Sequence, residues 1–327
     1  MESSLENIFH TYTDKAFAQK ALSVFHFQYV QNPVYREYCQ RIHVREDDVL
    51  TVEQIPFLPI SFFKTHDVKT TDFQPELTFQ SSGTTGMTHS HHYIKDKRLY
   101  EDSIWHSFHH FYGDPVDYVF LTLLPNYLEQ QNSSLIYMMD FLMKKSNHPD
   151  NGYYLRNHKD LYDKLLHLQK TGQKTILWGV TFALLDFIEE YRMNFPELIV
   201  FETGGMKGRR KEMVKEELYA LLEDAFGVSQ IHSEYGMCEL LSQAYSCKAN
   251  RFFTPPWMKL WLRDEKDPLA SQSPVKSGVI NVIDLANLYS CSFISTEELG
   301  RRHEDGSIEV LGRLDSAQLR GCNLLVF

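Results

Sequence analysis

The chain has 327 residues, a formal net charge of −10, 43% hydrophobic residues and 13% aromatic residues. A chain of this length can bury a large core, and the composition is that of a globular protein rather than a disordered one. The negative charge argues against general nucleic-acid binding, which requires a basic surface. No apolar run approaches the roughly 18–20 residues of a membrane span, and we expect no signal peptide at Met1–Glu6.

The cysteines indicate a reducing environment. They are odd in number and widely scattered, and no two form a Cys-x-x-Cys pair. We therefore predict a cytoplasmic protein with free thiols and with neither disulfides nor structural zinc. The five cysteines are Cys39, Cys238, Cys247, Cys291 and Cys322.

Residues 1–75 are predicted to form a mainly helical N-terminal part. Apolar residues from Leu5 to Tyr38 recur at helical spacing, and Asn32-Pro33 should interrupt the helix. A second helical pattern, rich in histidine, covers Lys97–Tyr112. No cysteine or carboxylate completes a metal-binding set with these histidines or with His89, His91 and His92 before them, so packing or surface positions are favoured over a metal site.

Residues 76–260 show segments of strand and helix in alternation. This pattern predicts a largely parallel sheet, in which ligands bind at the carboxyl ends of the strands. The strands are predicted at Val116–Leu124, Thr175–Val180, Leu198–Thr203 and Gln230–Tyr235, and the helices at Leu161–Lys170, Thr181–Tyr191 and Arg209–Phe226. Three loops are therefore expected to converge: Ser81–Gly86, Gly204–Lys207 and Tyr235–Glu239.

Residues 261–327 are predicted to form a smaller β-rich part. Strands are expected at Gly278–Leu285 and Ser290–Ser295, and Asp305-Gly306 is typical of a hairpin turn. With the preceding segments, this predicts one α/β domain with a smaller β subdomain.

The first of three motifs is Ser-Ser-Gly-Thr-Thr-Gly. Its glycines let the backbone approach a ligand closely, and its hydroxyl and N–H groups suit a polyphosphate. Taken alone, the motif fits a solvated turn equally well. Its residues are Ser81, Ser82, Gly83, Thr84, Thr85 and Gly86.

The second motif follows a predicted strand and combines an aromatic ring with a carboxylate. Tyr235 offers a stacking face to a base, and Glu239 offers oxygen ligands to Mg²⁺. A buried tyrosine and a glutamate at a helix start are the structural alternative. The motif consists of Tyr235, Gly236, Met237, Cys238 and Glu239.

The third motif is Gly312-Arg313-Leu314-Asp315. The planar guanidinium of Arg313 can bind a phosphate or a ribose, although a surface salt bridge would use the same residues.

Together and in this order, the motifs resemble those of the adenylate-forming superfamily, which includes acyl-CoA synthetases and phenylacetate-CoA ligases. The best match within it is the acyl-protein synthetases, the fatty-acid-activating subunits of the bacterial bioluminescence fatty acid reductase. The segments that carry this narrower resemblance are Leu124–Leu128, Ser133–Met138 and Leu319–Cys322.

The resemblance implies the fold of the large N-terminal domain of an adenylate-forming enzyme, without the usual C-terminal lid domain. It also implies ATP and Mg²⁺ as cofactors. Ser82, Thr84 and Thr85 would hold the β- and γ-phosphates. The adenine would lie against Gly204, Gly205, Met206 and Tyr235.

The remaining implied roles concern the metal, the ribose and the acceptor. Glu239 would bind Mg²⁺, Glu298 would hold the ribose hydroxyls, and Arg313 would contact the ribose or the α-phosphate. Cys322 occupies the position of the family's acceptor thiol. Cys238 departs from the family pattern, which has a threonine at this position.

The implied function is a cytoplasmic ligase that converts a fatty or related carboxylic acid into an acyl-adenylate and then into an acyl-Cys322 thioester. A partner reductase or another acceptor would receive the acyl group. Transfer to coenzyme A or a carrier thiol, and a non-catalytic nucleotide- or acyl-binding subunit, are the alternatives.

Overall fold

The computed structural model describes residues 7–10, 12–81, 89–124, 132–155, 157–204, 213–265 and 275–314. The chain divides into two compact units. The first unit consists of Met1–Ser103, Gly236–Gln243 and Phe253–Phe327, and the second of Ile104–Tyr235 and Ala244–Phe252. The subdivision predicted at residues 75 and 260 stays a prediction.

Helices and strands alternate through the middle of the chain, as the sequence predicts. The helices are α1 (Asp14–Gln31), α2 (Pro33–Arg41), α3 (Phe62–Thr65), α4 (Lys97–Tyr112), α5 (Ser134–Ser146), α6 (His158–Thr171), α7 (Thr181–Glu190) and α8 (Lys215–Phe226). The strands are β1 (Leu58–Pro59), β2 (Leu77–Gln80), β3 (His91–Ile94), β4 (Val119–Leu123), β5 (Gly152–Tyr153), β6 (Thr175–Val180), β7 (Ile199–Thr203), β8 (His232–Tyr235), β9 (Ala244–Ser246), β10 (Arg251–Phe252), β11 (Met258–Arg263), β12 (Ser277–Asp284), β13 (Phe293–Arg302) and β14 (Ile308–Arg313). None of these helices is both long and apolar enough to cross a bilayer.

The second unit is built on a sheet in the order β5-β4-β6-β7-β8-β9. Neighbouring strands are parallel, except that β9 runs antiparallel to β8. Every residue of β4 and β6 is buried, as expected for strands covered on both faces. The Trp178 and Phe201 rings stack at a centroid distance of 4.0 Å in this core. The predicted parallel sheet is confirmed.

The first unit contains an antiparallel sheet in the order β14-β13-β12-β11, with β1 parallel to β13. Gly306 has a φ of 85° in the turn between β13 and β14, which confirms the predicted hairpin. The strand predicted to end at Ser295 was too short, because β13 continues to Arg302. A separate hairpin pairs β2 with β3.

Asn32 separates the two N-terminal helices, as predicted. It is the C-cap of α1 and the N-cap of α2, and its side chain accepts a hydrogen bond from Tyr35 N at 3.0 Å. Pro33 occupies the first turn of α2, where its missing N–H costs no helical hydrogen bond.

Buried side chains from the N-terminal helices hold the turn between β12 and β13. Gln28 is fully buried; its Nε2 donates to Leu288 O at 2.9 Å and to Asn287 O at 3.0 Å, and its Oε1 accepts from Ser292 N at 2.9 Å. Asn32 Nδ2 donates to Ser290 O at 2.9 Å. These amides replace the water that the backbone of the turn would otherwise bind.

We expect Gln28→Ala to lower the free energy of unfolding by about 2–4 kcal/mol, because it leaves a cavity and unpaired buried backbone groups. Gln19→Ala is the matched control, since Gln19 lies exposed on the same helix; its effect should stay within about 0.5 kcal/mol. Urea unfolding of both variants measures the difference. Equal effects would contradict the role assigned to Gln28.

Candidate functional site

The described residues include only part of the predicted site. Ser81, Gly236, Met237, Cys238, Glu239, Glu298 and Arg313 lie in the first unit, and Gly204 and Tyr235 lie in the second. The other predicted residues lie outside the described part of the chain: Ser82, Gly83, Thr84, Thr85, Gly86, Gly205, Met206 and Cys322.

The hairpin of β2 and β3 brackets the hydroxyl-rich motif. Gln80 and His91 are opposite each other in the antiparallel register. Beyond them, Ser81 N donates to Ser90 O at 3.2 Å, and Ser90 N donates to Ser81 Oγ at 2.9 Å. The pairing of the hairpin therefore continues to Ser81 and Ser90, and the Ser81 hydroxyl oxygen accepts one of their two hydrogen bonds.

Glu239 is a buried carboxylate, with 5% of its surface exposed. Burial raises its pKa, and the negative charge of Glu298 also acts in this direction. The Ser90 hydroxyl and the positive charge of Lys64 act to lower it. Glu239 therefore lies within electrostatic reach of groups from three other segments of the first unit. A cation at this position would favour its ionised form.

Glu298 and Arg313 are register partners on β13 and β14. The backbone of Glu298 is fixed locally, because its N–H donates to Thr296 Oγ1 at 3.2 Å and the Thr296 hydroxyl donates to Ile280 O at 2.7 Å. The structure thus brings together two residues that the resemblance assigns to the ribose. With Glu239 close to Glu298, three predicted site residues share one region of the first unit.

One buried pair holds the backbone of the second motif. His92 Nδ1 lies 2.7 Å from Cys238 O, and His92 Nε2 lies 2.9 Å from Asn287 Oδ1. Asn287 Nδ2 donates to Glu239 O at 2.8 Å and to Cys291 O at 2.9 Å. The Glu239 carbonyl is therefore held by Asn287, and the Cys238 carbonyl lies against His92. Because both ring nitrogens of His92 face oxygen acceptors, the neutral ring donates a hydrogen bond to one of them at a time.

Asp284 holds the residues that follow. Its carboxylate accepts hydrogen bonds from Leu241 N and Ser242 N, both at 2.9 Å, from Ser242 Oγ at 2.7 Å and from Ala286 N at 3.1 Å. Burial raises the pKa of Asp284, and the hydrogen bonds from Ser242, Leu241 and Ala286 act against this. The aspartate is therefore a structural anchor for the segment after Glu239.

Sequence reasoning missed these three anchors. His92 was one of several histidines interpreted as packing or surface residues, and its full burial agrees with packing. Asn287 and Asp284 belong to no motif, and their partners in the second motif and in the segment after it lie more than 40 residues away in the sequence. Asp284 and Asn287 lie at the end of a predicted strand, and no local sequence pattern there indicates that their side chains bind distant backbone groups.

Burial makes several thiols poor nucleophiles. It raises the pKa of Cys39 to about 12, and it raises the pKa values of Cys238 and Cys291 well above the ordinary range. At neutral pH these thiols stay protonated. Cys238, at the position of the family's threonine, is therefore not an activated cysteine.

The second unit places Gly204 and Tyr235 at the ends of neighbouring parallel strands. Gly204 follows β7 with a φ of 78°, which is a conformation that favours glycine. Tyr235 ends β8 and is 7% exposed, with its ring centroid 5.7 Å from that of Phe252. Both lie at the carboxyl edge of the sheet, where ligands of open α/β sheets bind.

The pH dependence of stability tests the state of His92. Burial lowers its pKa to about 4, against roughly 6.5 for an unfolded histidine. Between these values only the unfolded chain takes up a proton, so stability that is present above pH 6.5 is lost as the pH falls. We expect the wild type to lose about 2 kcal/mol more than His92→Gln between pH 7.5 and pH 5.0.

Urea unfolding at the two pH values measures this loss. His91→Gln is the control, because it leaves His92 intact in the same strand, and it should lose as much as the wild type. Equal losses in the wild type and in His92→Gln would mean that His92 is charged in the folded protein.

Comparison with known proteins agrees with this architecture. Residues 7–101 match the family model described as acyl-protein synthetase, LuxE. The long-chain-fatty-acid–luciferin-component ligase of Aliivibrio fischeri is 24% identical over 330 residues, which cover 92% of this chain and 85% of that protein. The protein of the same name from Vibrio harveyi is 25% identical over 325 residues, which cover 92% and 84%.

Two solved structures share the fold. A 2-hydroxyisobutyryl-CoA ligase in complex with 2-HIB-AMP and CoA has a TM-score of 0.68 at 10% identity, over 94% of this chain and 72% of that chain. ATP-bound MatB from Rhodopseudomonas palustris has a TM-score of 0.55 at 15% identity, over 72% of this chain; the match spans about half of MatB, 47%. The predicted adenylate-forming fold is confirmed, and the chain is similar to the acyl-protein synthetase family over residues 7–101.

Proposed function

We propose that this protein is an ATP-dependent acid–thiol ligase. It activates a fatty or related carboxylic acid as an acyl-adenylate and transfers the acyl group to a cysteine thiol. The observation that carries the proposal is the arrangement of Glu239, Glu298 and Arg313 in one region, with the Glu239 backbone held by Asn287. The similarity to two long-chain-fatty-acid ligases along most of the chain supports the same reaction.

The nucleotide is assigned to the three motifs. Ser82, Thr84 and Thr85 bind the β- and γ-phosphates, and Glu298 and Arg313 bind the ribose and the α-phosphate side. The adenine lies against Tyr235 and the glycines that begin at Gly204. Gly204 and Tyr235 lie at the carboxyl edge of the parallel sheet, which is the usual ligand-binding edge of such folds.

Mg²⁺ fits the chemistry of Glu239. Mg²⁺ is commonly bound by one or two carboxylates together with substrate phosphates. Burial raises the pKa of Glu239, so a neighbouring cation would offset the cost of its charge. Glu239 would hold the ion, with Glu298 as the next carboxylate. The ion would neutralise phosphate charge.

The first reaction joins the acid to AMP. A carboxylate oxygen of the acid attacks the α-phosphorus of ATP, and the bond from that phosphorus to the bridging oxygen of pyrophosphate breaks. This step requires positioning and charge neutralisation more than proton transfer. The permanent positive charge of Arg313 suits the α-phosphate, which is transferred from pyrophosphate to the acid.

The second reaction makes a thioester. A cysteine thiolate attacks the acyl carbon, and AMP leaves. Because burial raises the pKa values of Cys39, Cys238 and Cys291, these thiols are poor candidates. Cys322 is assigned as the acceptor, with Arg320 nearby in the sequence to favour the thiolate. A reductase or another acceptor protein would then receive the acyl group.

Glu298→Gln tests the ribose assignment. We expect kcat/KM for ATP in ATP–pyrophosphate exchange to fall about 10- to 100-fold, because a charge-assisted hydrogen bond is lost. Glu297→Gln is the matched control, because Glu297 is the preceding residue and its side chain is exposed on the other face of β13. This variant should retain near wild-type exchange. Equal losses in both variants would contradict a specific role of Glu298.

Cys322→Ser tests the acceptor. With ATP, Mg²⁺ and the radiolabelled acid that exchanges fastest, we expect label on the denatured wild-type protein that hydroxylamine removes. Cys322→Ser should exchange pyrophosphate normally but retain no label, whereas Cys247→Ser, which changes a partly exposed thiol, should still be labelled. Label on Cys322→Ser would move the acceptor elsewhere, and exchange without label on any variant would indicate an external thiol.

A further inference from the structure

A second buried carboxylate stands at the edge of the parallel sheet. Glu234 is the residue before Tyr235 in β8. Side chains alternate along this strand: Ser233 Oγ lies 2.5 Å from Tyr219 of α8, whereas His232 Nδ1 lies 2.9 Å from the hydroxyl of Tyr112 of α4. Glu234 therefore shares the face of His232, opposite the face of Tyr235.

Glu234 has little to stabilise its charge. Thr203 Oγ1 donates to Glu234 Oε2 at 3.3 Å, and the described residues provide no basic partner. Burial raises the pKa of Glu234 to about 7, yet the side chain remains partly accessible. A carboxylate in this position is neither freely solvated nor sealed in the core, so a hydrogen-bond donor that reaches it would offset the cost of its burial.

The neighbouring strand shows how this unit satisfies a carboxylate whose role is structural. Glu202 is 1% exposed and lies one residue before Thr203 in β7. Its two oxygens are occupied by the Lys215 ammonium group and the Thr181 hydroxyl. Among the described residues Glu234 has no ammonium partner although it lies at the same edge, and its second oxygen accepts no hydrogen bond from them.

The wall beside Glu234 is aromatic. Tyr245 is its register partner on β9. The Tyr112 ring contacts those of Tyr245 and Phe201 at centroid distances of 5.4 and 5.2 Å. Tyr245 and Phe201 are fully buried, so these rings belong to the apolar core, and Glu234 is the polar group on the same side of the sheet.

We propose that Glu234 and Thr203 form a polar subsite for the acid, and that the acid bears a hydrogen-bond donor, an amino or hydroxyl group, within its first few carbons. This inference rests on the proposed function. Gly204 and Tyr235, assigned to the adenosine, directly follow Thr203 and Glu234 in the chain. Because the reacting carboxyl group must lie beside the nucleotide, the first carbons of the acid lie at these strand ends.

The energetic argument concerns solvation. A plain alkyl chain would remove water from Glu234 without offering a hydrogen bond, which is unfavourable for a carboxylate. A donor on the acid restores that bond. Sites built in this way reject analogues without the donor by large factors, at least about 100-fold.

ATP–pyrophosphate exchange tests this with octanoic acid and its 2-, 3- and 4-hydroxy and 2-, 3- and 4-amino derivatives. We expect at least one derivative to exceed octanoic acid about 100-fold in kcat/KM. Glu234→Leu should reverse or abolish this preference by weakening the derivative and improving octanoic acid. Glu197→Leu makes the same change at an exposed position of this unit and should keep the wild-type preference.

Glu234→Gln distinguishes an amino group from a hydroxyl group on the acid. It also replaces Glu234→Leu as the test if the leucine variant does not fold. The amide keeps the size of the side chain and can still bond a hydroxyl group, but it loses the charge that favours an ammonium group. Exchange with octanoic acid that equals or exceeds all derivatives, unchanged by either Glu234 variant, would overturn the subsite and leave the proposed function intact. Absence of exchange with every acid would overturn both.

Discussion

The first unit depends on the buried amide of Asn287. Its nitrogen donates to Glu239 O and Cys291 O, its oxygen faces His92, and its own carbonyl accepts from Gln28. The side chain of Asn287 thus joins β3, the turn after β12 and the second motif, and its backbone carbonyl adds the link to α1. Buried networks of this kind are rigid when they are complete, because each missing bond leaves a desolvated polar group. The position of Glu239 is therefore a consequence of the core.

Buried carboxylates in this protein differ in how completely they are satisfied. Asp284 accepts four hydrogen bonds, three of them from backbone N–H groups, and Glu202 has an ammonium and a hydroxyl partner. Glu239 has weaker compensation from Ser90 and Lys64, and Glu234 has one long hydrogen bond. The first two hold the fold together. The latter two retain capacity for a cation or a donor that the described residues do not supply, which is why we assign them to substrates.

The similarity to adenylate-forming enzymes constrains the fold more than the substrate. The two solved structures share this chain path at 10–15% identity, and such a likeness shows the fold alone. The identity of the acid is set by a few side chains at the strand ends, such as Thr203 and Glu234. A carboxylate at this position is poorly suited to a plain hydrocarbon chain, so likeness to fatty-acid ligases need not extend to the acid that is bound.

Much of the fold follows from local sequence patterns. Alternating strands and helices predicted the parallel sheet, Asn32-Pro33 predicted the interruption between α1 and α2, and Asp305-Gly306 predicted the last hairpin, because each depends on residues close together in the chain. The order of three motifs was sufficient to indicate the family. The resemblance also assigns Glu298 and Arg313 to one ribose site, and the two residues are register partners on β13 and β14.

Only the tertiary structure could identify the groups that act across long sequence separations. His92 and Asn287 lie 195 residues apart, and each reaches a neighbouring carbonyl of the second motif. Glu234 and Glu202 are both glutamates near strand ends, and no local pattern separates the one with an ammonium partner from the one with a single hydroxyl partner. Burial and hydrogen-bond partners decide the role of a polar side chain, and these are properties of the folded chain. The sequence by itself therefore determined the fold and the motifs, and the tertiary structure decided which polar residues anchor the site and which remain available to a ligand.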